Sequence, residues 1–192
     1  MAYASAPANW TGDYAPCDRH EDLLGRGHLD LGVRFSTSNE TLAREFRLAL
    51  EFWAGVVDMD WYVEDSPNCS LQVVDGAAAL FADCISARSQ FPDREGFEGW
   101  IAFNPGMRLT EREMFLVSVH EIGHLLGLRH NADGGSVMYF LGLDGNPALD
   151  AADLADLAAG HRLRAGVVEK SVVSIARRAA KTESYAATGD KP

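Results

Sequence analysis

His120-Glu121-Ile122-Gly123-His124-Leu125-Leu126-Gly127-Leu128-Arg129-His130 (HEIGHLLGLRH) is the stretch on which the reading of this chain turns. Upstream of it, Thr110-Glu111-Arg112-Glu113 has the form of a capping box: the Thr110 hydroxyl accepts from the Glu113 amide while the Glu113 carboxylate reaches back to the Thr110 amide. A helix is expected from there through Met114 to about Leu126, closing near Gly127, where a glycine adopts the left-handed conformation that ends helices. At roughly 100° per residue, His120 and His124 stand one above the other on one face, so both imidazoles can meet a single ion. Glu121 is rotated off that line, which places its carboxylate beside the ion and not on it. Gly127 lets the chain turn back, and His130 arrives as a third nitrogen donor. Three neutral imidazoles with a fourth position open to water describe a catalytic zinc site, whereas structural sites close all four positions. Zinc lowers the pKa of such a water to about 7, and Glu121 can accept its proton. The full spacing arises by chance in on the order of a few shuffled sequences per 100,000, so a surface or core role for these histidines is set aside.

Around this motif lies an ordinary globular chain. It has 192 residues, 47% hydrophobic and 23% charged, with a formal net charge of −11, which fits one domain with tails and excludes disordered, collagen-like and disulfide-packed classes. The excess of acid argues against nucleic acid as a partner, because phosphate binding needs a concentrated positive field. Leu29, Leu31, Val33 and Phe35 alternate as a half-buried strand does. Leu42, Phe46, Ala49, Leu50, Trp53, Val56 and Val57 recur at helical spacing behind several candidate caps in Ser36 to Thr41. Asp60 to Val63, Leu71 to Val74 and Trp100 to Phe103 read as short strands, and Ala77 to Ile85 is ambiguous. A third helix is expected from Asp150, with Asp153 completing its cap and Leu154, Leu157, Ala158 and His161 facing the core. The order suggests an α+β or mixed α/β layer with a single sheet. Three segments follow: an irregular arm over 1–28, a catalytic domain over 29–165, and a tail over 166–192 that is weakly helical and then disordered.

No apolar run is long enough to span a bilayer, and the start carries no signal-peptide pattern, which fits a cytosolic protein or a chain begun after signal removal. Cys17, Cys69 and Cys84 read as one disulfide with an odd thiol, or as three unrelated thiols. In a secreted chain Cys69 and Cys84, which flank a strand and loop, are the pair expected to oxidise. His20, His28 and His161 have no partner donor at ligand spacing and read as core or surface residues.

HEIGHLLGLRH matches the long zinc-binding consensus of the metzincin metalloproteases, and Ser136-Val137-Met138-Tyr139 resembles their Met-turn. Within that clan the chain is most similar to the matrixins. FRLALEFW (Phe46 to Trp53) resembles their first helix, FPDREGFEGWIAFN (Phe91 to Asn104) their loop and strand before the active-site helix, and FLVSVHEIGHLLGL that helix itself. Tyr139 directly after Met138 is the matrixin arrangement; the astacin pattern would need Tyr where Phe140 stands. The similarity spans roughly Leu29 to Arg164. It implies an α/β (α+β) metzincin-like fold: one mixed, twisted sheet of about five strands, an active-site helix, a backing helix and a C-terminal helix, with the substrate cleft between upper and lower subdomains. It also implies His120, His124 and His130 as ligands of one catalytic Zn(2+), Glu121 as general base and acid, and Met138 as a non-ligand platform beneath the metal.

The departures from the family are as informative. Matrixins usually hold a second, structural zinc by histidines before the active helix, but Arg88 and Ala102 stand where these are expected. Asn131 replaces the usual Ser after the third ligand, and Phe140 the usual Pro after the Met-turn Tyr. Clustered Asp residues leave room for Ca(2+), with no residues assigned because no EF-hand spacing is present. Cys17, in Ala15-Pro16-Cys17-Asp18, invites comparison with the matrixin latency cysteine, although its flanks match poorly. The expectation is a minimal, monomeric, secreted or cell-surface endopeptidase acting on proteins or peptides. Its rivals are a silent zinc protein that binds peptides and a cytosolic metallopeptidase with reduced thiols. Leu116, one turn before His120, is expected with Val117 to wall the pocket for the residue after the scissile bond, and the resemblance implies Tyr139 and Phe140 to Leu143 as the opposite wall.

Overall fold

The computed structural model describes residues 27–65, 70–77, 81, 85–89, 100–139, 148–167 and 170–171. Strand β1 (Leu29–Ser36) leads into helix α1 (Glu40–Ala54), followed by β2 (Met59–Val63), β3 (Ser70–Asp75), β4 (Ala87–Ser89) and β5 (Trp100–Phe103). Helix α2 (Glu111–Leu125), the short strand β6 (Ala148–Leu149), helix α3 (Ala151–Gly160) and β7 (Lys170–Ser171) complete the order. The sheet runs β2-β1-β3-β5-β4, with β1 parallel to β2 and β3, β3 parallel to β5, and β4 antiparallel on the edge. This is the mixed five-stranded α/β sheet with three helices that the resemblance implies. Among the described residues no helix is long and apolar enough to cross a membrane.

The helix starts follow from their caps. The Asn39 side chain accepts from the Leu42 amide at α1, and complete capping boxes open α2 at Thr110 and α3 at Asp150. Helix α1 turns Phe46, Leu50 and Trp53 fully inward, and α2 contributes Leu116, Val119 and Ile122 to the same core. The two helices pack on each other, and the Trp53 indole N–H donates to the Val119 carbonyl at 3.0 Å. That bond satisfies a polar atom which burial would otherwise penalise. Phe46 also stands edge-on to Phe35 and Phe103, tying α1 to strands β1 and β5.

Some expectations need correction. The ambiguous stretch Ala77 to Ile85 is not strand at its described residues 77, 81 and 85, and the edge strand is instead Ala87–Ser89. Ala-Arg-Ser carries no β pattern of its own; pairing with β5 makes it a strand. The weak helical potential of the tail is not realised at Lys170–Ser171, which pairs antiparallel with Ala148–Leu149. In α3 the core face is narrower than the pattern suggests, with Leu157 buried and Leu154 and Ala158 half-buried, while His161 is buried as expected, at the C-cap just beyond the helix. Cys17, Cys69, Cys84, His20, most of the arm, and Phe140 to Leu143 lie outside the described residues.

His28 is not without partners. Its Nδ1 lies 3.1 Å from Asp58 Oδ1, and its Nε2 lies 3.4 Å from Asp30 and from Asp60. Arg162 pairs with Asp58, Arg164 faces Asp60, and the backbone of both arginines bonds to the turn between α1 and β2. The segment after α3 is thereby sewn to the start of the sheet. Burial raises the Asp58 carboxyl, but the His28 hydrogen bond and the Arg162 charge outweigh it and hold the group below the usual carboxylate range.

Two outcomes are expected. A depressed folded pKa contributes stability that is present above the unfolded value of about 3.9 and is lost as pH falls through the folded one. Asp58→Asn should therefore destabilise the protein at pH 6, with a difference from wild type that shrinks below about pH 4 in urea melts. A constant difference across that range would refute the linkage. At Gly123, an added Cβ would lie 2.6 Å from Met138 Sδ and 3.2 Å from Trp53 Cζ2. Met138 and Trp53 are fully buried, so Gly123→Ala should lower stability by about 1–3 kcal/mol. A thermal melt at the wild-type temperature would contradict this.

Candidate metal centre

Helix α2 carries two of the three imidazoles, and its ending delivers the third. Gly127 has φ 92°, the left-handed conformation, and its amide donates to His124 O at 3.0 Å while the Leu128 amide donates to Gly123 O at 2.9 Å. This pair of bonds is a Schellman closure, which reverses the chain within one residue. The Leu128 carbonyl then accepts from His124 Nδ1 at 2.8 Å, and His130 returns to the helix face.

The three rings converge. His124 Nε2 and His130 Nε2 are 3.1 Å apart, and the ring centroids of His120, His124 and His130 lie 4.6 to 5.3 Å from one another. Two nitrogens bound at 2.0–2.1 Å to one tetrahedral ion would be separated by about 3.3 Å, so the spacing suits a single zinc. The tautomers suit it as well. His120 Nδ1 faces Val137 O at 2.8 Å, as His124 Nδ1 faces Leu128 O. A carbonyl only accepts, so each Nδ1 carries the proton and each Nε2 presents its lone pair. Burial lowers the pKa of both His120 and His124 to about 4, and lowers that of His130 as well. The rings are therefore neutral near pH 7, as ligation requires.

The turn Ser136 to Tyr139 meets the site through Val137, whose carbonyl accepts from His120 Nδ1. Met138 has no exposed surface and packs against α2 at Gly123. The Met138 amide donates to Ser136 Oγ at 2.9 Å, and Ser136 Oγ donates to Asp153 Oδ2 at 2.7 Å. Asn131, which follows the third ligand, donates through Nδ2 to Asp150 Oδ2 at 2.8 Å and Asp153 Oδ1 at 3.0 Å. Asp153 thus does two things: it closes the cap of α3 and anchors both the Met-containing turn and the segment behind His130. Sequence reasoning identified only the cap. A second polar role for a capping carboxylate leaves no local pattern.

Glu121 is buried, and the hydroxyl of Ser89 on β4 donates a short hydrogen bond to its Oε2. Burial pushes the Glu121 carboxyl up, opposed by the charge of His124 and the Ser89 hydrogen bond. Ser89 was missed by sequence reasoning, since nothing in Ala-Arg-Ser marks it. Leu116 and Val117 have almost no exposed surface and belong to the core, while Tyr139 is half-buried. Arg88 and Ala102 sit directly opposite each other across β4 and β5, and neither is a zinc ligand. Among the described residues one other group brings His and carboxylate atoms together, His28 with Asp30 and Asp60, where Arg164 already supplies positive charge at Asp60.

The carboxylate of Asp153 is buried with at least three donors around it, so its loss is the sharpest test of this arrangement. Asp153→Ala should destabilise the fold by roughly 2–4 kcal/mol and loosen zinc binding, because Ser136 would lose its acceptor and Asn131 one of its two. Wild-type metal affinity and melting temperature in that variant would show the anchor to be idle.

Comparison with known proteins agrees with this geometry. No curated protein sequence matches the chain at a significant level. The family model described as Matrixin matches residues 20–157, more than two thirds of the chain, and this span holds all three imidazoles, Glu121, the Met-containing turn and Asp153. With three neutral imidazoles converging on one point over that turn, and with a family match of this extent, the chain belongs to the matrixins, a family of zinc metalloproteases.

Proposed function

We propose that the chain is a secreted zinc-dependent endopeptidase that cleaves proteins or peptides on the amino side of hydrophobic residues, with Glu121 as its proton carrier. The observation that carries this reading is the convergence of three imidazole nitrogens in a sequence run that also holds a buried carboxyl, Glu121, outside that donor set. His120, His124 and His130 would hold the ion, which when bound supplies a Lewis acid that polarises the scissile carbonyl and acidifies water. Glu121 takes the proton of the attacking water, and the same carboxyl then delivers it to the leaving amine. Burial favours the protonated form of Glu121 more than water does, which helps the group to hold that proton between the two transfers. The His120 and His124 Nδ1 bonds to backbone carbonyls keep the rings from rotating as charge redistributes. An intact Glu121 favours this reading over a silent peptide-binding protein, which has no need of that carboxylate.

Specificity follows from the apolar residues around His120. Leu116 is fully buried one turn before it, so it would act on a pocket from behind and set its depth. A site backed by Leu116 and Val117 and flanked by Tyr139 offers no charge to pair with a charged substrate residue. Burying an unpaired ion there is costly, while burying a Leu-sized side chain gains roughly 2 kcal/mol.

Three results are expected. Glu121→Ala should keep its zinc and lose hydrolysis of a peptide library by roughly 100- to 10,000-fold, read by mass spectrometry with and without a chelator. Activity surviving in that variant would refute the assigned proton carrier. Cleavage should favour Leu, Met, Ile or Phe after the scissile bond, shifting to larger side chains in Leu116→Ala; a profile dominated by charged residues, or one unmoved by the substitution, would place the pocket elsewhere. Elemental analysis of dialysed protein should find one zinc per chain, since Arg88 and Ala102 cannot form a second site, and two tightly held ions would contradict that.

A further inference from the structure

Glu121 is buried, and it lies in the middle of α2, where the helix backbone gives a side chain no further donors. A carboxylate in that position has two oxygens to satisfy and three side-chain torsions to hold. One oxygen must stay available to the attacking water. The other needs a donor from outside the helix, and among the described residues only Ser89 supplies a side-chain one: its Oγ donates to Glu121 Oε2 and also lies 3.3 Å from the Glu121 backbone carbonyl.

Ser89 is the last residue of β4, the edge strand of the sheet, which contacts α2. Its backbone is placed by pairing with β5, opposite Ile101, so its hydroxyl is carried by a paired strand and not by a loop. A hydroxyl on such an element can select one rotamer of the glutamate before substrate arrives.

We propose that Ser89 is a positioning residue for Glu121: its hydroxyl holds Oε2 and thereby presents Oε1 to the water that attacks the substrate. This inference rests on the proposed function. Without the hydroxyl, Oε2 loses its donor and competes with Oε1 for the same water, and the carboxylate samples orientations that cannot receive the proton. A displacement of about 1 Å at a reacting group is enough to lower a rate on the order of 100-fold.

The test uses the full zinc-loaded chain and an internally quenched peptide with Leu after the scissile bond. Ser89→Ala should lower kcat by roughly 10- to 100-fold while KM stays within about twofold, with zinc content and melting temperature unchanged. Ser89→Thr, which restores the hydroxyl, should recover most of kcat. An independent reading comes from infrared spectroscopy of the same zinc-loaded proteins. The difference between wild type and Glu121→Gln isolates the Glu121 carboxylate stretch, and Ser89→Ala should shift that band. An unmoved band overturns the contact whether or not peptide is cleaved. A moved band with unchanged kcat overturns the positioning role, as does a loss of kcat accompanied by lost zinc or a lowered melting temperature. Failure of a folded Ser89→Thr to recover kcat also overturns it. Wild-type protein that binds zinc and cleaves no peptide overturns the proposed function, and the positioning role with it, while the band still reports on the contact.

Discussion

Two hydrogen bonds, from His120 Nδ1 to the Val137 carbonyl and from His124 Nδ1 to the Leu128 carbonyl, are the constraint around which this molecule is arranged. Each fixes a tautomer, because a carbonyl accepts and cannot donate. Each also requires that a separate stretch of chain stand at hydrogen-bonding distance from a helix face. Leu128 meets that requirement through the left-handed turn at Gly127. Val137 meets it through a turn bridged to Ala148 of β6 and to Asn131, with the Val137 amide donating to the Ala148 carbonyl at 2.9 Å.

Asp153 adds a side-chain anchor to that turn. The buried Asp153 carboxylate accepts from the Ser136 hydroxyl, the Asn131 side-chain amide and the Asp150 backbone amide. The first turn of α3 thus stands in a chain of contacts that ends on α2: Asp153 to Ser136, Ser136 to Met138, Met138 against Gly123, the residue before His124. The asparagine at 131, where the family commonly has serine, joins the same node through its amide, reaching both Asp150 and Asp153. That departure changes the donor and keeps the connection.

The sheet contributes on the other side of the site. Its strands β1 and β5 seat Phe35 and Phe103, which pack against Phe46 of α1, and α1 in turn backs α2. Among the described strands, the antiparallel edge strand β4 supplies the hydrogen bond to Glu121, through Ser89. The site therefore has two supports of different character: hydrogen-bonded turns that meet the imidazoles, and a strand beside the buried carboxyl. The ion network of His28, Asp58, Arg162 and Arg164 ties the chain after α3 back to β1 and β2.

What the sequence determined by itself is whatever a period or a cap can encode. The apolar spacing of Leu42 to Trp53, the capping boxes at Thr110 and Asp150, the alternation in Leu29 to Phe35 and the His-Glu-x-x-His spacing are local patterns, and each corresponds to an element in the fold, while Val56 and Val57, read into the same helix, lie beyond its end at Ala54. The convergence of the three imidazoles was legible for the same reason, since His130 needs only the Gly127 reversal to arrive. Tertiary structure alone decided the rest. Ala87–Ser89 becomes a strand because β5 is there to pair with it, Lys170–Ser171 because Ala148–Leu149 is, and His28 gains partners because β2 brings Asp58 and Asp60 alongside β1. Ser89 meets Glu121 across 32 residues of chain, and Ser136 meets Asp153 across 17. Such contacts depend on which distant segment covers a buried polar atom, and a polar side chain is the same letter in the sequence whether its partner is water or a buried carboxylate.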